Sequence, residues 1–142
     1  MNKVKKDKLK IYAMIPARYG SVRLKMKNLA LINNTPMIGY AIQAAIKSNM
    51  FDRVVVNSEH EIFKSIASRY NVDFYHRPDN LGSSEAKSDS IVADFMNFYP
   101  EADTVVWINP ISPFQTQKEI SDVVEYFVQN NLDSLITVED KQ

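Results

Sequence analysis

Residues 53–76, RVVVNSEHEIFKSIASRYNVDFYH, contain a complete strand–helix–strand pattern. The two ends, Arg53–Asn57 and Val72–His76, are rich in the β-branched and aromatic side chains that strands favour. Between them, Glu61–Tyr70 carries apolar side chains at helical spacing. When a helix connects two neighbouring strands, the strands pair in parallel. This stretch therefore predicts an α/β fold built on a parallel sheet.

The same alternation continues on both sides of this stretch. Further predicted strands lie at Lys10–Ile15, Thr104–Ile108 and Ser134–Val138, and further predicted helices at residues 36–48, Ser88–Phe98 and Gln117–Gln129. The order predicts a three-layer α/β/α domain, with a mostly parallel, Rossmann-like sheet and helices on both faces. We expect Thr35 to cap the first helix and Pro36 to occupy its first turn. Trp107 lies inside a predicted strand, so we expect it in the core.

Length and charge narrow the class of protein. A chain of 142 residues is the size of one domain, which we place at residues 10–142 after a basic tail at residues 1–9. Lysine and arginine together number 17, as do aspartate and glutamate, so the formal net charge is zero. A general nucleic-acid binder needs a surplus of basic charge, so we expect no nucleic acid as a partner. A small anionic ligand needs only a local cluster of cations.

Cysteine, histidine and hydropathy exclude further classes. The chain has no cysteine and only two histidines, His60 and His76, which rules out thiolate catalysis, cysteine-bound metal and a histidine-rich metal site. No apolar run approaches the roughly 20 residues of a membrane span. The apolar stretch after the basic tail, Ile11–Ile15, is shorter than the roughly 7–15 residues of a secretory signal. We therefore expect a cytoplasmic protein with no membrane partner.

The connection after the first strand is the strongest candidate for a site. Residues 16–29, PARYGSVRLKMKNL, combine Gly20 and Ser21 with four cations. The cations are Arg18, Arg23, Lys25 and Lys27. Ligands of open α/β sheets bind beyond the carboxyl ends of the strands, where this segment begins, and both cation types suit phosphate oxygens. The segment predicts a polyphosphate site, although it matches neither the P-loop nor the dinucleotide glycine pattern; a solvated basic loop is the alternative.

Two further segments follow other predicted strands. Residues 77–90, RPDNLGSSEAKSDS, leave the third strand and run into a helix. They fit either a helix cap with a turn or a rim that contacts a base or sugar. Residues 107–116, WINPISPFQT, place Asn109 at the tip of the fourth strand, ahead of two prolines that stiffen the turn.

Taken together, the three segments resemble the acylneuraminate cytidylyltransferase family, the CMP-sialic acid synthetases, which is related to the 3-deoxy-manno-octulosonate cytidylyltransferases. The first family motif, A-R-x-x-S-x-x-x-x-x-K-N-L, corresponds to residues 17–29. The second, R-P-x-x-L, corresponds to residues 77–81, and the third, Q-P-T-S-P-L-R-T, to residues 109–116. Three ordered motifs at these separations are specific, whereas each one alone is weak.

The resemblance implies a fold and an activity. The implied fold is that of the GT-A-like nucleotidyltransferases. The implied activity is transfer of CMP from CTP to an acidic nonulosonic sugar, with release of pyrophosphate and with Mg²⁺ as cofactor. CTP and the acidic sugar are then the partners. Catalytic roles fall on Arg18 and Lys27, which would hold the triphosphate and neutralise charge that develops on it.

The resemblance also implies binding residues. Nucleotide contacts are implied for Ala17, Arg18, Ser21, Arg23, Lys27, Asn28, Arg77, Ala86 and Ser88. Sugar contacts are implied for Asn109, Ser112 and Gln115. The family is homodimeric, and its magnesium-binding aspartates and dimer arm follow the position of Gln142. We therefore expect this chain to lack the C-terminal half, the metal ligands and the dimer arm, and to expose a sheet edge or apolar patch.

Departures from the motifs leave alternatives open. Residues 23–25, R-L-K, stand where the family often has Gly-x-Pro. The resulting R-L-x-x-K pattern at 23–27, with P-A-R-Y-G-S before it, looks more like the octulosonate branch. Asn109 is one methylene shorter than the family's glutamine, while Ile111 and Gln115 replace threonine and arginine. One alternative is a truncated, catalytically silent nucleotide-binding domain. The other is a nucleotidyltransferase for another sugar, such as 3-deoxy-manno-octulosonate, or for another base.

Overall fold

A computed structural model describes residues 9–17, 31–32, 35–82, 88–110 and 117–129 of the chain. Its strands are β1 Ile11–Pro16, β2 Leu31–Ile32, β3 Thr35–Pro36, β4 Arg53–Ser58, β5 Asp73–His76 and β6 Thr104–Trp107. Its helices are α1 Met37–Ser48, α2 Ile62–Arg69, α3 Ser88–Phe98 and α4 Gln117–Gln129, with a 3₁₀ turn at Asp79–Gly82. None of these helices is long and apolar enough to cross a membrane.

The main sheet has four strands in the order β5-β4-β1-β6, and every neighbouring pair is parallel. The central strand β1 pairs on both sides, since Ala13 lies opposite Val54 on one neighbour and Val106 on the other. Between β1 and β6 the direction of the strand order reverses. In open α/β sheets this reversal opens a crevice at the carboxyl ends of the two strands, where ligands bind.

Helices cover both faces of the sheet, which confirms the predicted three-layer architecture. The side chains of β1 alternate between the faces: Ile11, Ala13 and Ile15 join one buried cluster, whereas Tyr12 and Met14 join another. The first cluster contains residues of α1, α2 and α4, and the second contains Ile91 and Phe95 of α3. Burial on both faces explains why these strands are continuously apolar rather than alternating.

The start of α1 differs from the prediction. Thr35 does not cap the helix, because it pairs with Ile32 in the small antiparallel β2–β3 ladder. Pro36 is the N-cap residue, with extended angles (φ −57°, ψ 145°) and no side-chain cap hydrogen bond, so it precedes the first turn instead of occupying it. The helix ends at Ser48, and its C-cap residue Asn49 adopts the left-handed conformation (φ 57°) that favours termination.

Trp107 is also not in the core, contrary to expectation. Its side chain is 40% exposed. The reason is its place in the sheet: β6 pairs only with β1 among the described residues, so Trp107 has a strand neighbour on one side. The predicted fifth strand at Ser134–Val138 and residues 1–8 of the predicted tail lie outside the described residues, and the single-domain boundaries at 10–142 stay a prediction.

Candidate functional site

The starts of the three candidate segments meet at one edge of the sheet. The amide of Ala17, just past β1, donates to the carbonyl oxygen of Asn57 at 2.8 Å. The amide of Arg77, just past β5, donates to the carbonyl oxygen of Ser58 at 2.9 Å. The amide of Ile108, just past β6, donates to the carbonyl oxygen of Met14 at 3.0 Å. These bonds extend the parallel ladders by one residue and fix the point at which each segment leaves the sheet.

Arg77 is the most buried charged side chain at this edge. Its side chain is 1% exposed, and Nη2 donates to Oε1 of Glu59 at 3.2 Å, with the Glu59 side chain 12% exposed. Removing a guanidinium from water costs free energy unless a counter-charge and hydrogen bonds replace the water. The pair therefore holds Arg77 in a defined place between the ends of β4 and β5. Sequence reasoning missed Glu59, although an acidic residue directly after a strand beside an Arg-Pro segment was an available signal.

A buried amide lies beside this pair. Asn57 is fully buried at the carboxyl end of β4, and its Nδ2 donates to Sδ of Met14 at 3.2 Å. Among the described residues, Oδ1 of Asn57 makes no hydrogen bond. Buried polar atoms are normally bonded, so within the described part of the chain this acceptor is an exception, as are Nε and Nη1 of Arg77 at the same edge. Sequence reasoning missed it too; the signal was an asparagine that closes an otherwise apolar strand.

The two histidines have local partners. Nδ1 of His76 lies 3.0 Å from Oε2 of Glu61, and both side chains are largely exposed. Nδ1 of His60 accepts the amide of Ile62 at 3.0 Å, at the start of α2. In the part of the chain that the structure describes, no three histidine or acidic side chains lie close enough to hold a metal ion.

The described residues include four of the predicted site residues. Ala17 is buried directly after β1, and Arg77 is buried after β5. Ser88 is exposed at the first position of α3, and Asn109 is exposed two residues past β6. The other predicted residues lie outside the described ranges: Arg18, Ser21, Arg23, Lys27, Asn28, Ala86, Ser112 and Gln115. The contacts assigned to all twelve residues stay predictions.

The tyrosines with raised pKa values lie on the α3 face of the sheet. The hydroxyl of Tyr12 donates to Oε2 of Glu101 at 2.6 Å, and this bond raises the pKa of Tyr12. Burial, and then a hydrogen bond to Asp94, raises the pKa of Tyr75 to about 12. Arg53 lies 5.6 Å from the centre of the Tyr12 ring and pairs with Asp73. This cluster consists of ring packing and paired charges, as expected of a structural element.

A family model described as cytidylyltransferase matches residues 12–141. The chain belongs to the cytidylyltransferase family. The match spans all three segments that meet at the carboxyl edge, and it confirms the resemblance seen in the sequence.

The curated relatives agree with this family. The chain is 34% identical over 118 residues to an N-acylneuraminate cytidylyltransferase of Escherichia coli, covering 83% of this chain and 28% of the relative. A Streptococcus agalactiae protein with the same description is 29% identical over 131 residues, covering 91% of this chain and 32% of that protein. The chain thus spans less than a third of the length of these relatives.

Two solved structures share the fold. A CMP:2-keto-3-deoxy-manno-octonic acid synthetase in complex with CTP superposes with a TM-score of 0.75 at 20% identity, covering 86% of this chain and 48% of the other. Rv0371c of Mycobacterium tuberculosis, in complex with manganese, superposes with a TM-score of 0.61 at 15% identity, covering 84% and 60%. At these identities the likeness concerns the fold, and it confirms the expected α/β architecture.

Proposed function

We propose that this chain forms the CTP-binding part of an enzyme that transfers CMP from CTP to an acidic nonulosonic sugar and releases pyrophosphate. The observation that carries the proposal is the family match over residues 12–141, which includes the three segments that leave the carboxyl edge of the sheet. The N-acylneuraminate cytidylyltransferases among the relatives favour a sialic acid-like substrate. Because the chain spans less than a third of their length, its own activity is part of the proposal.

The proposed chemistry is a displacement at phosphorus. The anomeric hydroxyl oxygen of the sugar attacks the α-phosphorus of CTP, and the bond from that phosphorus to the bridging oxygen breaks. Pyrophosphate leaves with the bond's electron pair, and the hydroxyl proton passes to solvent. Such transfers depend mainly on positioning and on stabilising negative charge. We assign that charge stabilisation to Arg18 and Lys27, beyond the carboxyl end of β1.

In this proposal, residues of all three segments bind the base, the ribose and the acidic sugar. Asn28, Arg77, Ala86 and Ser88 hold cytosine and ribose, with support from Ala17, Ser21 and Arg23. Asn109, Ser112 and Gln115 contact the acidic sugar. The support is that Ala17, Arg77 and Asn109 follow three strands of one parallel sheet, so their segments leave from a common edge.

A divalent cation, Mg²⁺, is the proposed cofactor. Among the described residues, no three acidic or histidine side chains lie close enough together to hold a metal ion. We therefore assign no residue of this chain to the ion and route no step through it. Homodimer formation, residence in the cytoplasm and a role in lipopolysaccharide or capsule synthesis are likewise proposals, which rest on the resemblance to the family.

A second candidate substrate is 3-deoxy-manno-octulosonate. Residues 23–27, which read R-L-x-x-K after P-A-R-Y-G-S at 16–21, look more like that branch of the family, which is the specific observation in its favour. A pyrophosphate-release assay separates the two candidates. The chain is incubated with CTP, Mg²⁺ and either N-acetylneuraminate, a related nonulosonate or 3-deoxy-manno-octulosonate. Release that requires one acidic sugar identifies the substrate.

The same assay tests the transfer itself. With UTP, GTP or ATP in place of CTP, we expect little or no release. No release with any sugar, from a sample that binds CTP, would contradict transfer by this chain and leave a nucleotide-binding module. Release with UTP as fast as with CTP would contradict the choice of cytosine.

A further inference from the structure

Two hydrogen bonds join the ends of β4 and β5. In the first, between backbone groups, the amide of Arg77 donates to the carbonyl oxygen of Ser58. In the second, between side chains, the guanidinium of Arg77 donates to the carboxylate of Glu59. Because Ser58 lies opposite His76 in the parallel ladder, Glu59 and Arg77 are the residues that immediately follow a paired position. Their relative position is therefore set by the sheet itself.

A neighbouring, exposed ion pair shows that the burial of the Glu59–Arg77 pair is unusual. Glu61, the N-cap residue of α2, pairs with His76 at the end of β5, but their side chains are 65% and 45% exposed. Water competes with a pair of that kind, and such pairs contribute little. The Glu59–Arg77 pair lies inside the protein, where the guanidinium cannot turn away from its carboxylate without losing a counter-charge that water does not replace. Glu59 thus supplies a nearly buried counter-charge beside the Arg77 guanidinium and accepts a hydrogen bond from its Nη2.

The stability of the strand ends does not require charges at this point. Apolar side chains of similar volume often stabilise a buried position as well as an ion pair does, or better. A buried ion pair at the ligand-binding edge of a parallel sheet is therefore more informative than one elsewhere in the fold. It keeps a planar, multidentate hydrogen-bond donor in a fixed orientation beside the site.

We infer that Glu59 is a positioning residue for nucleotide binding, and that it acts by holding the guanidinium of Arg77 in the wall of the site. The inference rests on the proposed function, in which Arg77 contributes to holding the nucleoside. Glu59 itself touches no ligand. Its effect on binding passes through Arg77 and is lost when Arg77 is replaced.

Binding measurements on the full chain test this inference. Isothermal titration gives dissociation constants for CTP and CMP with the parent chain, Glu59→Gln, Arg77→Lys and the double variant, at a temperature well below each midpoint of unfolding. We expect Glu59→Gln to weaken both ligands by about tenfold or more, since CTP and CMP share the nucleoside. We expect the double variant to bind no more weakly than Arg77→Lys, because the two residues act as one unit. Glu61→Gln is the matched control and should stay within about twofold of the parent.

The outcomes separate the inference from the function on which it rests. If the parent binds CTP and a folded Glu59→Gln variant binds it equally well, the positioning role is wrong while the nucleotide site stands. The positioning role is also wrong if the loss of affinity in the double variant equals the product of the losses in the two single variants. If the parent binds neither CTP nor CMP, the proposed function fails and this inference fails with it. If Glu59→Gln does not fold, Glu59→Asp, which keeps the charge but withdraws it by one methylene, takes its place and should give a smaller loss of the same kind.

Discussion

Nδ2 of Asn57 donates to Sδ of Met14 on the neighbouring strand at 3.2 Å, across a diagonal, since Met14 lies opposite Val55. A thioether sulfur is a weak acceptor, so this contact satisfies the amide poorly. The other polar atom of the same side chain, Oδ1, is buried and makes no hydrogen bond among the described residues. An unsatisfied buried acceptor costs about 1–3 kcal/mol. The strand thus carries a destabilising group at the edge where the candidate site lies, as is common at functional sites.

The first prediction concerns this asparagine. Asn57→Leu has a similar shape and removes the buried amide, so the free energy of unfolding should stay equal to that of the parent or rise by about 1 kcal/mol. CTP affinity should fall, because the polar group at the site edge is lost. Urea unfolding and calorimetry measure the two quantities, and Met14→Leu, which keeps the amide, is the control. A loss of stability above about 1 kcal/mol in Asn57→Leu would show that the amide is well bonded in the folded protein.

The second prediction concerns a glycine inside α1. A Cβ added at Gly39 would lie 2.5 Å from the hydroxyl oxygen of Tyr70 and 2.9 Å from Cγ2 of Thr35. Alanine favours helix by about 1 kcal/mol over glycine, whereas overpacking costs about 1–3 kcal/mol. We expect Gly39→Ala to destabilise the chain by about 1 kcal/mol in urea unfolding. Tyr70→Phe removes the closest atom, so it should reduce the penalty. A stabilising Gly39→Ala would contradict the close packing of α1 on Tyr70.

The third prediction concerns alkaline pH. The folded pKa of Tyr75 is raised to about 12, against 10.0 for an unperturbed tyrosine. Stability from a raised pKa is complete below the unfolded value and is lost as pH rises towards the folded value, because only the unfolded chain releases its proton in between. Stability should therefore fall between about pH 10 and pH 12, and Tyr75→Phe should make that fall shallower. Urea unfolding across this range gives the slopes, with the exposed Tyr126→Phe as control. Equal slopes for the parent and Tyr75→Phe would contradict the assignment.

The alternation of strand and helix patterns along the sequence was sufficient to predict most of the fold. The strands at Arg53–Asn57 and Val72–His76 and the helix between them appear within one residue of the expected bounds. The β-branched composition of the strands and the helical spacing of apolar residues reflect burial on both faces of the sheet. Such patterns are local, so the sequence alone displays them.

The errors came from tertiary context. Thr35 and Pro36 follow the pattern of a cap and first turn, but pairing with Leu31–Ile32 takes them into a ladder. Trp107 has the composition of a core residue, but its strand has one neighbour among the described residues. Glu59 and Arg77 lie 18 residues apart at the ends of two strands joined by a helix, so their pairing depends on the register of the sheet rather than on a local spacing.

The fourth prediction concerns the basic segment after β1. Arg18 is the first cation of residues 16–29 and follows directly on Ala17, which the structure fixes at the end of the strand. Charge-assisted hydrogen bonds contribute about 1.5–3 kcal/mol, so Arg18→Ala should weaken CTP binding by roughly tenfold or more without changing the free energy of unfolding. Lys64→Ala, at an exposed position of α2, is the control. CTP binding by Arg18→Ala at the affinity of the parent would contradict the phosphate assignment.

The most direct test of the proposed CTP site is a thermal shift of the full chain with CTP, measured beside UTP, GTP and ATP, with and without Mg²⁺. A ligand at 100 times its dissociation constant stabilises a protein by about 2.7 kcal/mol, or roughly 5–10 °C at this size. We expect a shift of this order with CTP and a much smaller one with the other nucleotides. A cooperatively unfolding sample that shows no shift with any nucleotide would contradict the claim that the carboxyl edge of this sheet is a CTP site.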